Sequence, residues 1–330
     1  MVVSVRCPAC AATLDGPPWD CASCGRSYRG GRAYVDLLGE ETQTAEHYSL
    51  QWGETLAFLD FVRSTPGANE VLASAQLGWS RLFDEIRAAG AVRVYDAACG
   101  FGAVAAELAR ADTAAVYVGA DVHDALERIV TDVPALAERG LIVRWDVTRP
   151  LPVDEPFDYV ICRAALHHTP DPERTLDVLL ESLALGGTIA ISVYRRKART
   201  REAVDEALRS EIAKLSPTEA FAVSRDFALL GRALQQIDGS VRIDEDLEFL
   251  GIRAGEYAVQ ELVYDHLLKC FWNDVFGERY STLVNYDWYH PEFAHRFDAA
   301  GVRTWLERRG LEVVELESSK AQHYAVARRR

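Results

Sequence analysis

The sequence predicts an α/β protein with an open, mostly parallel sheet, preceded by a small cysteine-rich segment and interrupted by a helical insertion. Three observations favour this fold class. Apolar runs alternate with helical patterns from residue 91 to residue 194, two CxxC pairs lie within the first 24 residues, and residues 195–297 separate the fifth apolar run from the last two. Alternating strands and helices are typical of a parallel sheet with crossover helices. We therefore expect seven strands, of which the last is antiparallel.

The composition is that of an ordinary globular protein. Of the 330 residues, 49% are hydrophobic and 26% are charged, unlike the composition of disordered chains. The net charge of −14 argues against nucleic acid as the main partner, because Lys and Arg supply most non-specific affinity for phosphates. No apolar run approaches the ~20 residues that span a bilayer, and MVVSVRCPAC lacks the apolar stretch of a signal peptide. We expect a cytoplasmic protein.

The four N-terminal cysteines have the spacing of a metal site. Cys7 and Cys10 form one CxxC pair, and Cys21 and Cys24 form a second pair ten residues later. Two such pairs can place four thiolates around one Zn(II) ion, in a site with no open position for water or substrate. Residues 1–38 are thus predicted to form a zinc ribbon in which the ion is structural, with disulfides or free thiols as the alternative.

The strands and helices of the sheet follow in chain order. Residues 39–90 are predicted to be helical, chiefly over 54–63 and 69–89. The predicted strands are 91–97, 114–121, 141–147, 157–163, 187–194, 311–318 and 323–329. The predicted helices of this part are 103–110, 123–139 with a break near Pro134, 172–184 and 302–310. The sheet domain is expected to comprise residues 91–194 and 298–330.

The insertion over 195–297 is too long for a structureless loop and should have helices of its own. Helical periodicity predicts them over 199–215, 216–236 and 254–276. The second half of the insertion is rich in aromatic residues and also contains His290 and His295. Apolar walls with a few polar groups form small-molecule pockets, although most of these rings must serve a helical core. We expect a helical cap that binds a small-molecule substrate.

A glycine-containing loop joins the first strand to its helix. The strand ends at Asp96 and Ala97, and Gly100 and Gly102 then allow the backbone to approach a ligand at the N-terminus of the helix. Asp121 closes the second strand about 20 residues later, where a carboxylate can accept hydrogen bonds from ribose hydroxyls. This combination predicts a nucleotide-containing cofactor at the carboxyl ends of the strands.

These motifs resemble those of the class I S-adenosylmethionine (SAM)-dependent methyltransferases. DAACGFG is similar to the first motif, GADVHDA to the second, WDVTRPLP to the third, and FDYVICRAALHHTPDPERTL with LALGGTIAISVY to the fourth. The resemblance implies a Rossmann-like methyltransferase sheet and SAM as the cofactor. An NAD-dependent dehydrogenase is the competing interpretation, but the third glycine of its motif would fall at Ala105. The cysteine segment similarly resembles the zinc ribbon of the Trm112-like type.

The resemblance also implies a set of cofactor-binding residues. They are Asp96, Ala98, Gly100, Gly102, Asp121, Val122, Asp146, Val147, Arg163, Tyr48 and Trp52. Asp121 would hold the ribose, whereas Asp146 and Val147 would lie at the adenine. Ala98 stands where the family usually has glycine. Tyr48 and Trp52 are candidates for a segment that closes over SAM, or they pack a helix against the sheet.

Methyl transfer from a sulfonium is an in-line displacement that depends mostly on proximity, and it needs a base only for a protonated nucleophile. The candidate bases are His167 and His168 after the fourth strand and His290 and His295 in the cap. The leading hypothesis is methylation of a small or medium-sized molecule. Two alternatives remain: an rRNA or tRNA methyltransferase, and a protein that uses SAM without transferring its methyl group.

Overall fold

The computed structural model describes residues 3–39, 43–63, 80–111 and 113–330. Its strands are β1 (Val5–Arg6), β2 (Thr13–Leu14), β3 (Trp19–Asp20), β4 (Ser27–Tyr28), β5 (Tyr34–Asp36), β6 (Arg93–Ala97), β7 (Val116–Asp121), β8 (Gly140–Arg144), β9 (Phe157–Cys162), β10 (Leu183–Tyr194), β11 (Ser240–Ile243), β12 (Gly255–Ala258), β13 (Leu311–Ser318) and β14 (Gln322–Arg329). Its α-helices are α1 (Gln43–Arg63), α2 (Ser80–Ala89), α3 (Ala103–Arg110), α4 (Glu127–Asp132), α5 (Leu136–Arg139), α6 (Pro172–Glu181), α7 (Arg199–Ile212), α8 (Pro217–Gln235), α9 (Val259–His266), α10 (Gly277–Tyr289) and α11 (Ala299–Glu307). Part of the helix predicted over 69–89 lies outside the described residues.

The main sheet has eight strands in the order β13-β14-β10-β9-β6-β7-β8-β5. Only β14 is antiparallel to its neighbours, β10 and β13. The predicted α/β class and its seven strands, with the last one antiparallel, are confirmed. The eighth strand, β5, comes from the cysteine segment and pairs in parallel with β8. With three residues, β5 is too short to produce a recognisable alternation of polar and apolar residues.

The described residues form two compact units. The sheet unit holds those of 1–52, 77–195 and 297–330, and the helical unit holds those of 53–76 and 196–296. None of the helices in the described part of the chain is long and apolar enough to cross a membrane.

The cysteine segment shares the hydrophobic core of the sheet unit. Val5, Leu14 and Trp19 are at most 1% exposed and belong to the same buried cluster as Tyr95 and Val160 of the central strands. A backbone hydrogen bond of 2.8 Å from Arg6 N to Pro152 O adds a polar link. Burial of apolar surface contributes about 25 cal/mol per Å², so the shared core stabilises the cysteine segment and the sheet together.

The helical unit departs from the sequence prediction over 254–276, where a single helix was expected. The structure instead has β12 in a hairpin with β11, then the short helix α9, and then a non-helical segment over 267–276. Side chains of neighbouring helices satisfy the backbone of this segment: Asp205 Oδ1 accepts from Lys269 N at 3.1 Å, and Asn285 Oδ1 accepts from Phe271 N at 2.9 Å. The predicted helix is present over Val259–His266 and is wrong on either side of it, where hairpin pairing and these non-local bonds replace those of a helix.

Candidate functional site

The loop between β6 and α3 has an unusual backbone. Ala98, Gly100 and Gly102 all have positive φ angles, of 58°, 54° and 81°. Gly102 is the N-cap of α3. Because glycine has no side chain, the cap residue offers no oxygen to accept hydrogen bonds from the first amide groups of the helix. Ala98 adopts this conformation at a cost of about 1–2 kcal/mol that glycine would not have.

The carboxylate of Asp121 holds this loop against the end of β7. Its Oδ2 accepts a hydrogen bond from Gly100 N at 2.8 Å, and its Oδ1 accepts one from Val122 N at 2.7 Å. Each carboxylate oxygen has a second lone pair, so the group can still accept two hydroxyl donors. Asp121 therefore anchors the loop and keeps acceptor capacity for further hydroxyl donors.

Close packing around the loop requires glycine at two positions. A Cβ atom on Gly100 would lie 2.8 Å from the indole of Trp52, and one on Gly102 would lie 2.5 Å from Cγ2 of Ile129. The Trp52 ring also lies 5.8 Å from the ring of Phe101. The structure thus brings Trp52, a predicted cofactor residue, directly to the glycine loop.

His123 is a site residue that the sequence reasoning missed. It is fully buried, and its Nε2 lies 2.9 Å from the carbonyl oxygen of Gly100. Burial lowers the pKa of the ring, so the neutral form donates from Nε2 and presents Nδ1 as an acceptor. Nδ1 has no hydrogen-bond partner among the described residues. The sequence feature that could have identified His123 is its position two residues after Asp121.

Asp96 lies beneath the loop at the end of β6. It is 1% exposed and accepts a hydrogen bond of 2.7 Å from the hydroxyl of Tyr117. Burial raises the pKa of Asp96 to about 7, against the opposing effects of the Tyr117 hydrogen bond and the Arg163 charge. Arg163 follows β9 and is half-buried. The two predicted residues are thus electrostatically coupled.

The residues after β8 complete the same edge of the sheet. Trp145 N donates to the carbonyl oxygen of Asp121 at 2.8 Å, which joins this loop to the end of β7. Asp146 Oδ1 accepts from the amide and the hydroxyl of Thr148 at 2.9 and 2.8 Å. These bonds form a tight turn that fixes Asp146 and the buried Val147 in place.

His167 and His168 occupy a short 3-10 helix after β9. Both are buried, and the ring of His167 lies 3.7 Å from the ring of Tyr194 at the end of β10. The ring of His168 lies 5.2 Å from Tyr194 and 6.1 Å from Tyr48. The structure therefore groups these two histidines with Tyr48 at the carboxyl end of the central strands.

His290 and His295 belong to the helical unit. His290 is 3% exposed, and its Nε2 lies 3.1 Å from the carbonyl oxygen of Leu215. Burial lowers the pKa of His290, and its ring stacks on Tyr286 at 4.9 Å. These contacts supply a structural role for His290. The half-buried His295 stacks on Phe293 at 6.3 Å.

The four N-terminal cysteines come together as predicted. Their sulfur atoms all lie within 4.8 Å of one another, with Cys7 and Cys24 at 3.7 Å and Cys10 and Cys21 at 3.5 Å. Tetrahedral zinc with Zn–S bonds of about 2.3 Å places its sulfur ligands about 3.8 Å apart. The four thiols are unbridged and fit such an ion.

Comparison with known proteins finds a family match in the central part of the sheet unit. Residues 95–189 match the family described as "Methyltransferase domain". A search of curated protein sequences finds no match to the chain. The strand order and the matched family together assign a Rossmann-like methyltransferase fold.

Several solved methyltransferase structures are similar to the chain at low identity. Magnesium protoporphyrin IX methyltransferase from Synechocystis PCC 6803 with bound SAM is 12% identical, with 88% of this chain and 99% of that chain covered and a TM-score of 0.44. A putative methyltransferase from Bacillus halodurans is 16% identical, with coverage of 76% and 97% and a TM-score of 0.38. An O-methyltransferase family 2 protein from Planctomyces limnophilus in complex with apigenin is 13% identical, with coverage of 72% and 51% and a TM-score of 0.38.

Proposed function

We propose that the protein is a SAM-dependent methyltransferase that acts on a small or medium-sized molecule. The observation that carries this proposal is the pairing of the Asp121 carboxylate with the amide of Gly100 in a loop of positive φ angles. The carboxylate keeps two acceptor positions for a ribose diol, and the adjacent helix N-terminus favours the carboxylate of the methionine moiety. The matched methyltransferase domain supports the same assignment.

The remaining cofactor contacts follow from the same edge of the sheet. We assign the methionine moiety to Ala98, Gly100 and Gly102, and the adenine to Asp146 and Val147. His123 Nδ1 adds a buried acceptor close to the loop. Trp52 lies against Gly100 and would supply an apolar wall. We assign Tyr48, Asp96, Val122 and Arg163 to the rest of the cofactor site.

SAM supplies an electrophilic methyl group when it is bound. The chain contributes binding, orientation and exclusion of water, which provide most of the acceleration of an in-line displacement. A hydroxyl or protonated amine nucleophile must also lose a proton. We assign this role to His168, with His167 as the neighbour that orients it, because both rings lie at the carboxyl end of β9 and β10. His290 and His295 are second candidates from the helical unit.

We assign substrate recognition to the helical unit. The chain leaves the sheet unit at Arg195 and returns at Phe297, and these two residues form a parallel bridge at the carboxyl end of β10. Ligands of open α/β sheets bind at this edge. The four N-terminal cysteines are assigned to one structural Zn(II), which would stabilise a segment too small to fold on its own core.

The test is calorimetric binding of S-adenosylhomocysteine to the zinc-loaded full chain and to Asp121→Ala. We expect wild-type binding and a loss of at least about 100-fold in the variant, because charge-assisted hydrogen bonds contribute about 1.5–3 kcal/mol each. Asp124→Ala is the matched control, since it removes an equal charge from an exposed position three residues away and should change affinity less than about threefold.

Methyl transfer is then followed by mass spectrometry, with labelled SAM and either small-molecule extracts or RNA as acceptor. A labelled small molecule supports the proposal, whereas labelled RNA favours the RNA methyltransferase alternative. Failure of the folded, zinc-loaded protein to bind S-adenosylhomocysteine would contradict the proposal.

A further inference from the structure

The last residues of three neighbouring strands of the sheet unit lie side by side. Asp36 ends β5, Arg144 ends β8 and Asp121 ends β7. Arg144 is the register partner of Asp36 on one side and of Asp121 on the other. A residue of the N-terminal cysteine segment therefore lies two strands away from the carboxylate that holds the glycine loop.

The buried side chain of Arg144 connects these strand ends. Its Nη1 lies 3.3 Å from Asp36 Oδ2, and its Nε donates to the carbonyl oxygen of Val122 at 3.0 Å. Arg144 is 6% exposed, and charges at this depth are screened little by salt. The two contacts use different nitrogens of one planar guanidinium. The position of the Asp36 carboxylate is therefore linked to that of the Val122 carbonyl through a rigid group.

Val122 is also one of the two residues that orient the Asp121 carboxylate. Its amide donates to Asp121 Oδ1 at 2.7 Å, while the amide of Gly100 donates to Oδ2 at 2.8 Å. Val122 is thus held on both sides, by the Asp121 carboxylate at its amide and by Arg144 at its carbonyl. A shift of Val122 would turn the carboxylate and redirect its remaining acceptor positions.

Asp36 is itself fixed within the cysteine segment. Its backbone amide donates to the carbonyl oxygen of Arg29 at 2.8 Å, and its Oδ1 accepts from Leu38 N at 3.3 Å. The guanidinium of Arg29 lies 3.7 Å from Oδ2 and is 67% exposed, so this second ion pair contributes little. The cysteine segment therefore presents a held carboxylate to Arg144.

A second polar link joins the cysteine segment to the sheet unit at another place. Asp154 lies three residues before β9 begins, pairs with Arg6, and accepts a hydrogen bond of 2.8 Å from the hydroxyl of Ser4. It has no contact with Arg144 or Val122 among those that the structure shows. This link holds the same two parts together without reaching the glycine loop, so Asp154 is a matched control for Asp36.

We propose that Asp36 is a positioning residue of the cofactor site, which acts through Arg144 and Val122 to orient the Asp121 carboxylate toward the ribose diol of SAM. As a statement about SAM this rests on the proposed methyltransferase function, whereas the orientation of Asp121 is independent of it. The cysteine segment then determines cofactor affinity as well as stability, and this role requires no RNA.

The experiment compares the zinc-loaded full chain with Asp36→Asn and Asp154→Asn, each of which removes one negative charge. We expect calorimetric binding of S-adenosylhomocysteine to weaken by about 3- to 30-fold in Asp36→Asn. In Asp154→Asn it should weaken by less than about twofold. The amide proton resonances of Gly100 and Val122, recorded by NMR without ligand, report the two hydrogen bonds to Asp121. They should move upfield in Asp36→Asn and stay in place in Asp154→Asn.

The route through Arg144 is tested with Arg144→Lys, which keeps the positive charge but lacks the planar group that reaches both partners. Adding Asp36→Asn to this variant should weaken binding by less than about a further twofold, because the link is already broken. The full loss of the single Asp36→Asn variant, added again, would overturn the route through Arg144.

Equal losses of affinity in Asp36→Asn and Asp154→Asn, or unchanged amide resonances of Gly100 and Val122 in Asp36→Asn, overturn the proposal. One measurement needs no variant: the Nε proton of Arg144 in the wild type should exchange slowly with solvent, and fast exchange contradicts its bond to Val122.

The two proposals fail in different ways. If the wild type and Asp36→Asn bind S-adenosylhomocysteine equally well, the methyltransferase proposal stands and the role of Asp36 fails. If the wild type does not bind it, the methyltransferase proposal fails, and the amide resonances still decide whether Asp36 orients the Asp121 carboxylate.

Discussion

The sheet unit and the helical unit each bury one ionisable group whose pKa is displaced to about 7, but from opposite directions. In the sheet unit, burial raises the pKa of the Asp96 carboxyl, whereas in the helical unit burial and nearby cations lower that of the Lys269 amine. Asp96 has a hydrogen-bond donor in Tyr117, and Lys269 has no such partner for its amine among the described residues. The two groups therefore differ in whether the protein supplies a hydrogen-bond partner.

This difference follows from the elements that surround Asp96 and Lys269. Asp96 and Tyr117 lie on β6 and β7, which pair in register next to each other, so the partner of Asp96 is provided by the sheet itself. Lys269 lies in a non-helical segment whose neighbours come from α7 and α10. A polar group outside regular strand or helix pairing depends on side chains that are distant in sequence.

The largest effect is expected from removing Asp205, which would show how far the helical unit depends on its buried charges. Asp205→Ala should destabilise this unit by about 3–5 kcal/mol, because it leaves the buried Arg201 without its carboxylate. Hydrogen exchange measured by mass spectrometry should rise in peptides of α7, α9 and α10. Peptides of β6 and β7 should keep their protection.

The control is Glu211→Ala, which breaks an exposed pair with Lys214 and should cost less than about 1 kcal/mol. A loss below about 1 kcal/mol in Asp205→Ala would mean that the packing of the aromatic rings, and not the charge network, maintains the helical unit. Equal loss of protection in peptides of both units would show that Asp205 also stabilises the sheet unit, contrary to this prediction.

The same contrast explains what the sequence could predict. The seven strands, the glycine loop and Asp121 follow from local patterns, because each strand is an apolar run and the loop joins consecutive elements. The cysteine cluster follows from spacing alone. The strand β5 is too short for a pattern, and the surroundings of Lys269 depend on contacts between residues more than 60 positions apart. His123 lay within a recognised motif, but only its burial and its contact with Gly100 distinguish it.

The second prediction uses the opposite directions of the two pKa displacements. The pKa of Asp96 is raised in the folded state, so the folded protein holds an extra proton between about pH 4 and 7, and stability should fall as pH rises through this window. The pKa of Lys269 is lowered, so the unfolded chain holds the extra proton between about pH 7 and 10, and stability should rise with pH there. Each group contributes a slope of at most about 1.4 kcal/mol per pH unit.

Urea unfolding of the wild type, Asp96→Asn and Lys269→Met across these windows measures both slopes. Asp96→Asn should remove the fall at acidic pH and leave the alkaline rise, whereas Lys269→Met should do the reverse. Parallel curves for the wild type and a variant would show that the corresponding group has an ordinary pKa. In that case burial would not displace the pKa of the ionisable group in that unit.

The smallest effect is expected at Ala98, where the sheet unit contains steric strain in the backbone and not a buried charge. Ala98 has a φ of 58°, so Ala98→Gly should relieve about 1–2 kcal/mol of steric strain. The greater freedom of glycine in the unfolded chain offsets about 0.4–1 kcal/mol of this gain. We expect a net increase of about 0.5–1 kcal/mol in the free energy of unfolding, measured by urea denaturation. Ala97→Gly, at the regular end of β6, should instead lower stability by about 1 kcal/mol. The opposite signs at adjacent alanines would locate the strain in the loop, and a loss of stability in both variants would contradict it.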